Sequence, residues 1–350
     1  MTAIVVAWAL LAAGFSVVTL VRLGWRSPPP PVPAAPPVLL LRPADVPSAA
    51  ELTALATPLA YPGPLAHVVI SPARPALPPG VEWLASDPAT PNRKVGHLLA
   101  ALAALAPGER VVLAIDADVA VDAVLVQALA AAVAGGAALA TAAPAPEPAA
   151  GLVPRAVRAL LCHTQLSFAA LDAMAVGAHA ICGKAMALSP AALDGLPPLR
   201  DRVGEDLELA AWLHARALPV ALVAPRARVP QASHAPAAPA LARFVRWMQV
   251  LRAHRPALAL TVPLLFTPTL PLVLGAALAA SPIAWLAVGT CAGVRTLLAW
   301  RLEPRGALGW PLGEALLLVA FVRALVARTV TWRGRTFRLA RGGRMEPVTP

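Results

Sequence analysis

The chain is poor in acid. Only 18 aspartates and glutamates occur in 350 residues, against 29 lysines and arginines, for a formal net charge of +11. Lysine is scarcer still: Lys94 and Lys184 are the only two, so arginine carries almost all the positive charge. Such a balance can signal nucleic acid, but aromatics make up 5% of the chain and do not interleave with the basic residues as in a single-strand binder. Nucleic acid is therefore excluded as the expected partner, and the basic charge is read as facing anionic lipid and phosphorylated substrates. The three cysteines, Cys162, Cys182 and Cys291, have neither paired nor metal-site spacing and read as core thiols. The seven histidines are scattered, which argues against a zinc site.

What the chain has in excess is apolar surface. It is 58% hydrophobic with a mean hydropathy of +0.68, beyond an ordinary soluble domain and typical of a membrane protein. Thr2 to Val21 carries no charge, and about 20 apolar residues span a bilayer as a helix. No charge precedes this run and no small-residue cleavage site follows it, so residues 1–22 read as an anchor rather than a signal peptide. Arg22 and Arg26 directly after it place the next domain in the cytoplasm. Residues 23–37 form a linker, stiffened by seven prolines between Ser27 and Pro37.

From Val38 the pattern alternates. Val38–Leu41, His67–Ile70, Val111–Ile115 and Ala137–Ala142 read as short buried strands. Ala49–Ala56, Lys94–Leu105 and Asp122–Val133 read as the helices between them. The alternation predicts an α/β fold with a doubly wound, mostly parallel sheet over residues 38–250, whose ligands sit beyond the carboxyl ends of the strands. Residues 256–330 are then read as C-terminal membrane segments and 331–350 as a basic tail. Pro256 to Val294 has no charge, with a turn at Ala280-Ser281-Pro282, so a hairpin of two crossings fits. A third oily stretch, Ala307–Val322, is interrupted by Glu314 and reads as interfacial or re-entrant. That arrangement keeps the tail arginines cytoplasmic, as the positive-inside rule prefers.

Three polar clusters stand out against this background. Asp116-Ala117-Asp118 ends the strand at Val111–Ile115. Two carboxylates one residue apart can converge on a divalent cation, though an acidic pair there is also an ordinary turn and helix cap. Gly204-Glu205-Asp206 opens an apolar helix, where acids also favour the helix dipole. Arg243-Phe244-Val245-Arg246-Trp247 precedes the membrane segments, where it is equally an interfacial anchor.

In this order and spacing the clusters resemble the D,D,D,(Q/R)xxRW pattern of glycosyltransferase family 2, most closely its ceramide glucosyltransferase group and the related hopanoid-associated glycosyltransferases. Further segments are similar to that group along nearly the whole chain: Arg42-Pro43, Asn92-Arg93-Lys94-Val95, Gly183-Lys184-Ala185-Met186, and Thr331-Trp332-Arg333-Gly334-Arg335 with Gly342-Gly343. The resemblance implies a GT-A-type cytoplasmic domain between N- and C-terminal transmembrane helices, in a multi-pass protein of the inner (plasma) membrane. It implies an inverting transfer of a hexose, taken as glucose, from a UDP-sugar to a lipid hydroxyl of ceramide-like or hopanoid type. Asp116 and Asp118 would hold Mg2+ or Mn2+ against the diphosphate, Asp206 would be the general base, and Glu205 would orient the neighbouring site. Arg243, Arg246 and Trp247 would clamp the diphosphate and wall a sugar. Lys94 would add a phosphate contact, a solvated helix lysine being the ordinary alternative. No obligate protein partner is evident. One position departs from the pattern: the family's first aspartate falls on Ile70-Ser71-Pro72-Ala73, with no acid, and Asp87 lies downstream. The alternative reading that follows is a membrane protein that keeps the fold without catalysis, or with an altered donor.

Overall fold

The computed structural model describes residues 1–24, 35–174, 181–332 and 334–348. Most of the proline linker expected at 23–37 lies outside the described residues. In chain order the elements begin with α1 (Thr2–Gly24), β1 (Val38–Pro43), α2 (Ala49–Leu55), β2 (Leu65–Ser71), β3 (Val81–Ala85), α3 (Arg93–Leu105) and β4 (Val111–Ile115). There follow α4 (Ala123–Ala134), β5 (Leu139–Pro146), α5 (Leu152–Met174), β6 (Ala185–Leu188), α6 (Pro190–Leu193), α7 (Glu205–His214) and β7 (Val220–Val229). The remainder is α8 (Ala237–His254), α9 (Pro256–Thr261), α10 (Thr269–Ala279), α11 (Pro282–Leu302), α12 (Trp310–Val326), and strands β8 (Thr329–Trp332), β9 (Arg335–Leu339) and β10 (Met345–Pro347).

The chain packs as two compact units. One holds Ser27–Glu147 and Ala175–Pro230, the other Met1–Arg26, Pro148–Met174 and Gln231–Pro350. In the second unit α5 and α8 pack with the apolar helices.

The first unit is built on a seven-stranded sheet of order β3-β2-β1-β4-β6-β5-β7. All pairings are parallel except those of β6, which runs antiparallel to both β4 and β5. The expectation of a mostly parallel sheet agrees with this, while β3, β6 and β7 add strands that alternation alone does not reveal. β1 shows why the sheet is covered on both faces. Its six residues are all buried, and because side chains alternate across a strand, Leu39 and Leu41 face one core while Val38 and Leu40 face the other. The first core is closed by Leu98 of α3 and Leu209 and Leu213 of α7, the second by Leu125 and Leu129 of α4.

Among the described residues, the helical unit contains three helices long and apolar enough to cross a membrane: Thr2–Val21, Pro282–Leu302 and Pro304–Val326. Pro256–Phe266 and Thr269–Ala279 pass the same test only as a pair, bent by 61°. Of the oily stretches read from sequence after residue 255, the first is thus bent and the third is long enough to cross. The bend falls where Val262–Phe266 adopts a π-helical turn and Pro268, which has no N–H to donate, follows. Glu314 breaks the third stretch in sequence without breaking the helix, because its carboxylate pairs with the fully buried Arg295 of α11. Arg295 also donates to the carbonyls of Leu265 and Phe266 at 3.1 Å each, and Glu314 accepts from the backbone N–H of Thr269. The ion pair therefore satisfies backbone groups that the bend leaves without helical partners. Gln249 on α8, before the apolar stretches, donates to the carbonyls of Ala327 and Thr329 after them. A three-stranded antiparallel sheet, β10-β9-β8, ends the unit around Val330, Phe337 and Met345.

Candidate active site

The carboxyl ends of β1 and β4 and the amino end of β6 lie at one edge of the sheet, because β6 runs antiparallel to β4 with Ile115 opposite Ala185. Asp116 therefore starts the loop beside Lys184, and its backbone N–H donates to the Lys184 carbonyl at 2.9 Å. The Lys184 ammonium sits 2.6 and 2.7 Å from the two oxygens of Asp118 and 3.1 Å from Asp116 Oδ2. Asp116 Oδ1 pairs with Lys94 at 2.7 Å, and Lys94 reaches Glu205 at 3.0 Å and the Gly183 carbonyl at 2.6 Å. Asp206 Oδ2 accepts from the Gly183 N–H at 3.1 Å. Both lysines of the chain are thus in one cluster with Asp116, Asp118, Glu205 and Asp206.

Each member is placed by a local rule. Asn92, fully buried, caps α3 by accepting from the Val95 N–H, so Lys94 falls in the first turn and points at the strand ends. The Asn92 amide donates to the Arg202 carbonyl and to Glu205, tying α3 to the start of α7. Gly204 enters α7 at φ +75°, a left-handed conformation that costs glycine little. Thr141 Oγ1 donates to the Cys182 and Ala185 carbonyls, which fixes the Cys182-Gly183-Lys184 turn. Arg42, 1% exposed at the end of β1, donates through Nη2 to the carbonyls of Asp116, Ala117 and Val119. It shapes the acidic loop from behind.

The electrostatics separate the carboxylates. Burial alone would raise the Asp116 pKa, but the Lys94 and Lys184 ammoniums overcome it and hold the group down at about 2. Burial and the neighbouring Glu205 push Asp206 the other way, up to about 6. Burial would lower Lys94, yet Asp116 and Glu205 raise it, so it stays protonated. One carboxylate held ionised, Asp116, and one carboxyl poised near neutrality, Asp206, is the division of labour that acid–base chemistry uses.

The donor set fits a hard divalent cation in kind. Asp116 and Asp118 both present carboxylate oxygens to a single positive centre, Lys184 Nζ, and four carboxylates outnumber the two lysines. Two protein oxygens leave the remaining ligands to water or phosphate, as is usual for Mg2+. Among the described residues no group of three or more His, Cys, Asp or Glu side chains is arranged to hold a metal ion.

Of the residues named from sequence, Asp116, Asp118, Glu205, Asp206 and Lys94 meet. Arg243, Arg246 and Trp247 lie on α8 of the helical unit, where Arg243 is exposed and Trp247 packs edge-on against buried Phe244 with ring centroids 5.3 Å apart. Ser71 is fully buried, donates to the Ala73 carbonyl at 2.7 Å and accepts from Trp83 Nε1 at 3.1 Å. Asp87 is mostly exposed and pairs with Arg93, whose guanidinium also holds Asp45. Sequence reasoning missed Lys184 as a site residue, although its rarity was a signal, and missed the supporting roles of Arg42, Asn92 and Thr141.

A family model described as Glycosyl transferase family 21 matches residues 83–345, three quarters of the chain and the whole of this cluster. The chain belongs to that family. It is a glycosyltransferase by membership, under a different heading from the family 2 resemblance drawn from its motifs. No curated protein sequence matches this family 21 chain. Among solved structures it is similar to the mannosyltransferase PcManGT from Pyrobaculum calidifontis, in complex with GDP-Man and Mn2+, at 14% identity and a TM-score of 0.43, covering 92% of this chain and 99% of that one.

Proposed function

We propose that the chain is an inverting, membrane-bound hexosyltransferase that moves a hexose, taken as glucose, from a UDP-sugar to a lipid hydroxyl of ceramide-like or hopanoid type. The observation that carries this reading is Asp206, a carboxyl pushed up to about 6 beside the Asp116–Asp118 pair and both lysines. In one displacement the acceptor oxygen bonds to the anomeric carbon from the face opposite the diphosphate. Asp206 takes the hydroxyl proton, and the bond from carbon to the departing diphosphate oxygen breaks with its electron pair. Glu205, fixed between Lys94 and Asn92, keeps the base and the Gly183 turn in register. Lys94, held protonated, donates to a phosphate oxygen. Arg243 and Arg246 supply planar forks of donors for the diphosphate, and Trp247 supplies a wall for a sugar. A Mg2+ or Mn2+ ion held by Asp116 and Asp118 would neutralise charge developing on the leaving group.

The catalytic unit is assigned to the cytoplasmic side of the inner (plasma) membrane. The hydrogen bonds from Gln249 to Ala327 and Thr329 support a tail that emerges on the side from which the apolar stretches begin. An even number of crossings then lies between them: α11 and α12 cross, and the bent pair Pro256–Ala279 is re-entrant. The tail arginines fall inside, as the positive-inside rule prefers.

Membranes containing the protein, given radiolabelled UDP-glucose and candidate lipids, test the reading. Transfer to lipid that disappears in Asp206→Asn supports it, and no transfer from any nucleotide sugar by a folded, inserted protein sinks it. Ser71 favours a second reading, a donor-altered enzyme, because its hydroxyl is engaged by Ala73 and Trp83 and brings no charge to a base or ribose. Transfer from a GDP-sugar in place of a UDP-sugar would select it.

A further inference from the structure

The helical unit contains a cavity of about 350 Å³ where α8 ends, α9 begins and the chain leaves α12 for β8. Its lining includes Gln249, Arg252, His254, Pro256, Arg328 and Arg341, with no acidic residue. The three arginines come from separate segments: the last turn of α8, the junction between α12 and β8, and the turn after β9. The C-terminal part of the chain offers few acids to balance them. From Gln231 onward the chain has only Glu303, Glu314 and Glu346; Glu303 pairs with Arg158, Glu314 with Arg295, and Glu346 faces Arg338 across the β9–β10 pairing. The wall is also built rather than incidental. Gln249, 6% exposed, donates to the Ala327 and Thr329 carbonyls, and Arg252 donates to the Leu325 carbonyl at 3.2 Å.

We propose that this cavity binds a phosphate ester, and that its occupant is the headgroup of an anionic phospholipid. Guanidinium groups are suited to phosphate by their planar fork of donors, and the volume lies in the range of small-ligand pockets, roughly 300–1,000 Å³. The choice of a lipid rests on the apolar surface alongside. Leu260 on α9 and Leu325 and Val326 at the end of α12 are exposed beside the basic lining, a surface that a free phosphate would not use and acyl chains would cover. The assignment of a lipid rests on the proposed membrane insertion of α12 and the bent pair. A basic pocket at the ends of such helices, on the cytoplasmic side, sits at headgroup depth.

The test uses the full chain, purified in detergent and exchanged into mixed phosphatidylglycerol and phosphatidylcholine, with retained lipid counted by native mass spectrometry. Phosphatidylglycerol is expected to be retained in preference. The combined Arg252→Gln, Arg328→Gln and Arg341→Gln variant should weaken that retention by about tenfold or more. A control losing the same charge outside the cavity, Arg305→Gln with Arg335→Gln and Arg338→Gln, should retain the lipid. Equal loss in that control would overturn the cavity as the site. Equal retention by the wild type and the cavity variant would overturn it too. If millimolar inorganic phosphate stabilises the wild type but not the variant, with no lipid preference, the lipid assignment falls. If the triple variant does not fold, Arg328→Gln and Arg341→Gln singly, both at exposed positions, should each show part of the loss, and no loss in either would overturn the proposal. Sugar transfer is measured separately on the same preparations. Transfer without preferential retention sinks only the lipid site, and retention without transfer sinks only the enzymatic reading.

Discussion

Asp206 concentrates the residue-scale argument, because one carboxyl joins catalysis to stability. Its pKa of about 6 lies above the ordinary 3.8, so between about pH 4 and pH 6 the folded chain holds a proton that the unfolded chain has released. The contribution of Asp206 to folding stability is thus largest below that window and is lost as pH rises through it. Activity moves oppositely, since the base must be ionised: kcat/KM is expected to rise with pH to a plateau above about 6. Asp206→Asn should abolish transfer, flatten the pH dependence of stability and raise the melting temperature at neutral pH. A drop in melting temperature would mark Asp206 as structural. Arg42 makes a different prediction. Arg42→Met strips three buried carbonyls of their donor and should cost about 2–4 kcal/mol in denaturant unfolding, with at least tenfold lower transfer. Arg42→Lys, which keeps an ammonium with three donors, should recover most of both. For the metal, EDTA should remove turnover, and Asp118→Asn should weaken Mn2+ binding measured by electron paramagnetic resonance. Full activity without divalent cation would take Asp116 and Asp118 out of the ligand role.

At the scale of elements, strands and helices with strong apolar patterns were legible and those defined by pairing were not. β1, β2 and β4 announce themselves as buried runs, and α3 and α4 as helices among them. β6 is only four residues, Ala185–Leu188, with nothing in composition to separate it from its surroundings. Yet its antiparallel place between β4 and β5 is what delivers Lys184 to Asp116 and Asp118. The bend in the pair Pro256–Ala279 was hidden for a similar reason. An uncharged run of 39 residues says that a segment is apolar, not that it is straight, and Arg295 and Glu314, which satisfy the bend, are distant in sequence. Glu314→Ala should leave the buried Arg295 charge uncompensated and destabilise the unit by about 3–5 kcal/mol. Replacing both by apolar residues should cost less than the sum of the single changes when followed by thermal unfolding in detergent. Additive losses would show that the two side chains do not act as a pair.

On the scale of the whole molecule, topology is the testable property. A reporter fused after Pro350 should be cytoplasmic, because α8 and the segment after α12 are joined through Gln249. An extracytoplasmic reporter would mean an odd number of crossings and overturn the re-entrant assignment of Pro256–Ala279. The sequence by itself determined the class: an acid-poor, oily chain with an α/β pattern and a few conspicuous carboxylates, because periodicity and composition are local properties that each residue carries wherever it folds. Only the tertiary structure decided that both lysines neutralise those carboxylates, that Arg42 shapes their loop, that Ser71 is engaged by Trp83, and that three distant arginines line one cavity. Those are meetings between segments up to about a hundred residues apart, set by strand order and helix packing, and charge acts through distance in space rather than position in the chain.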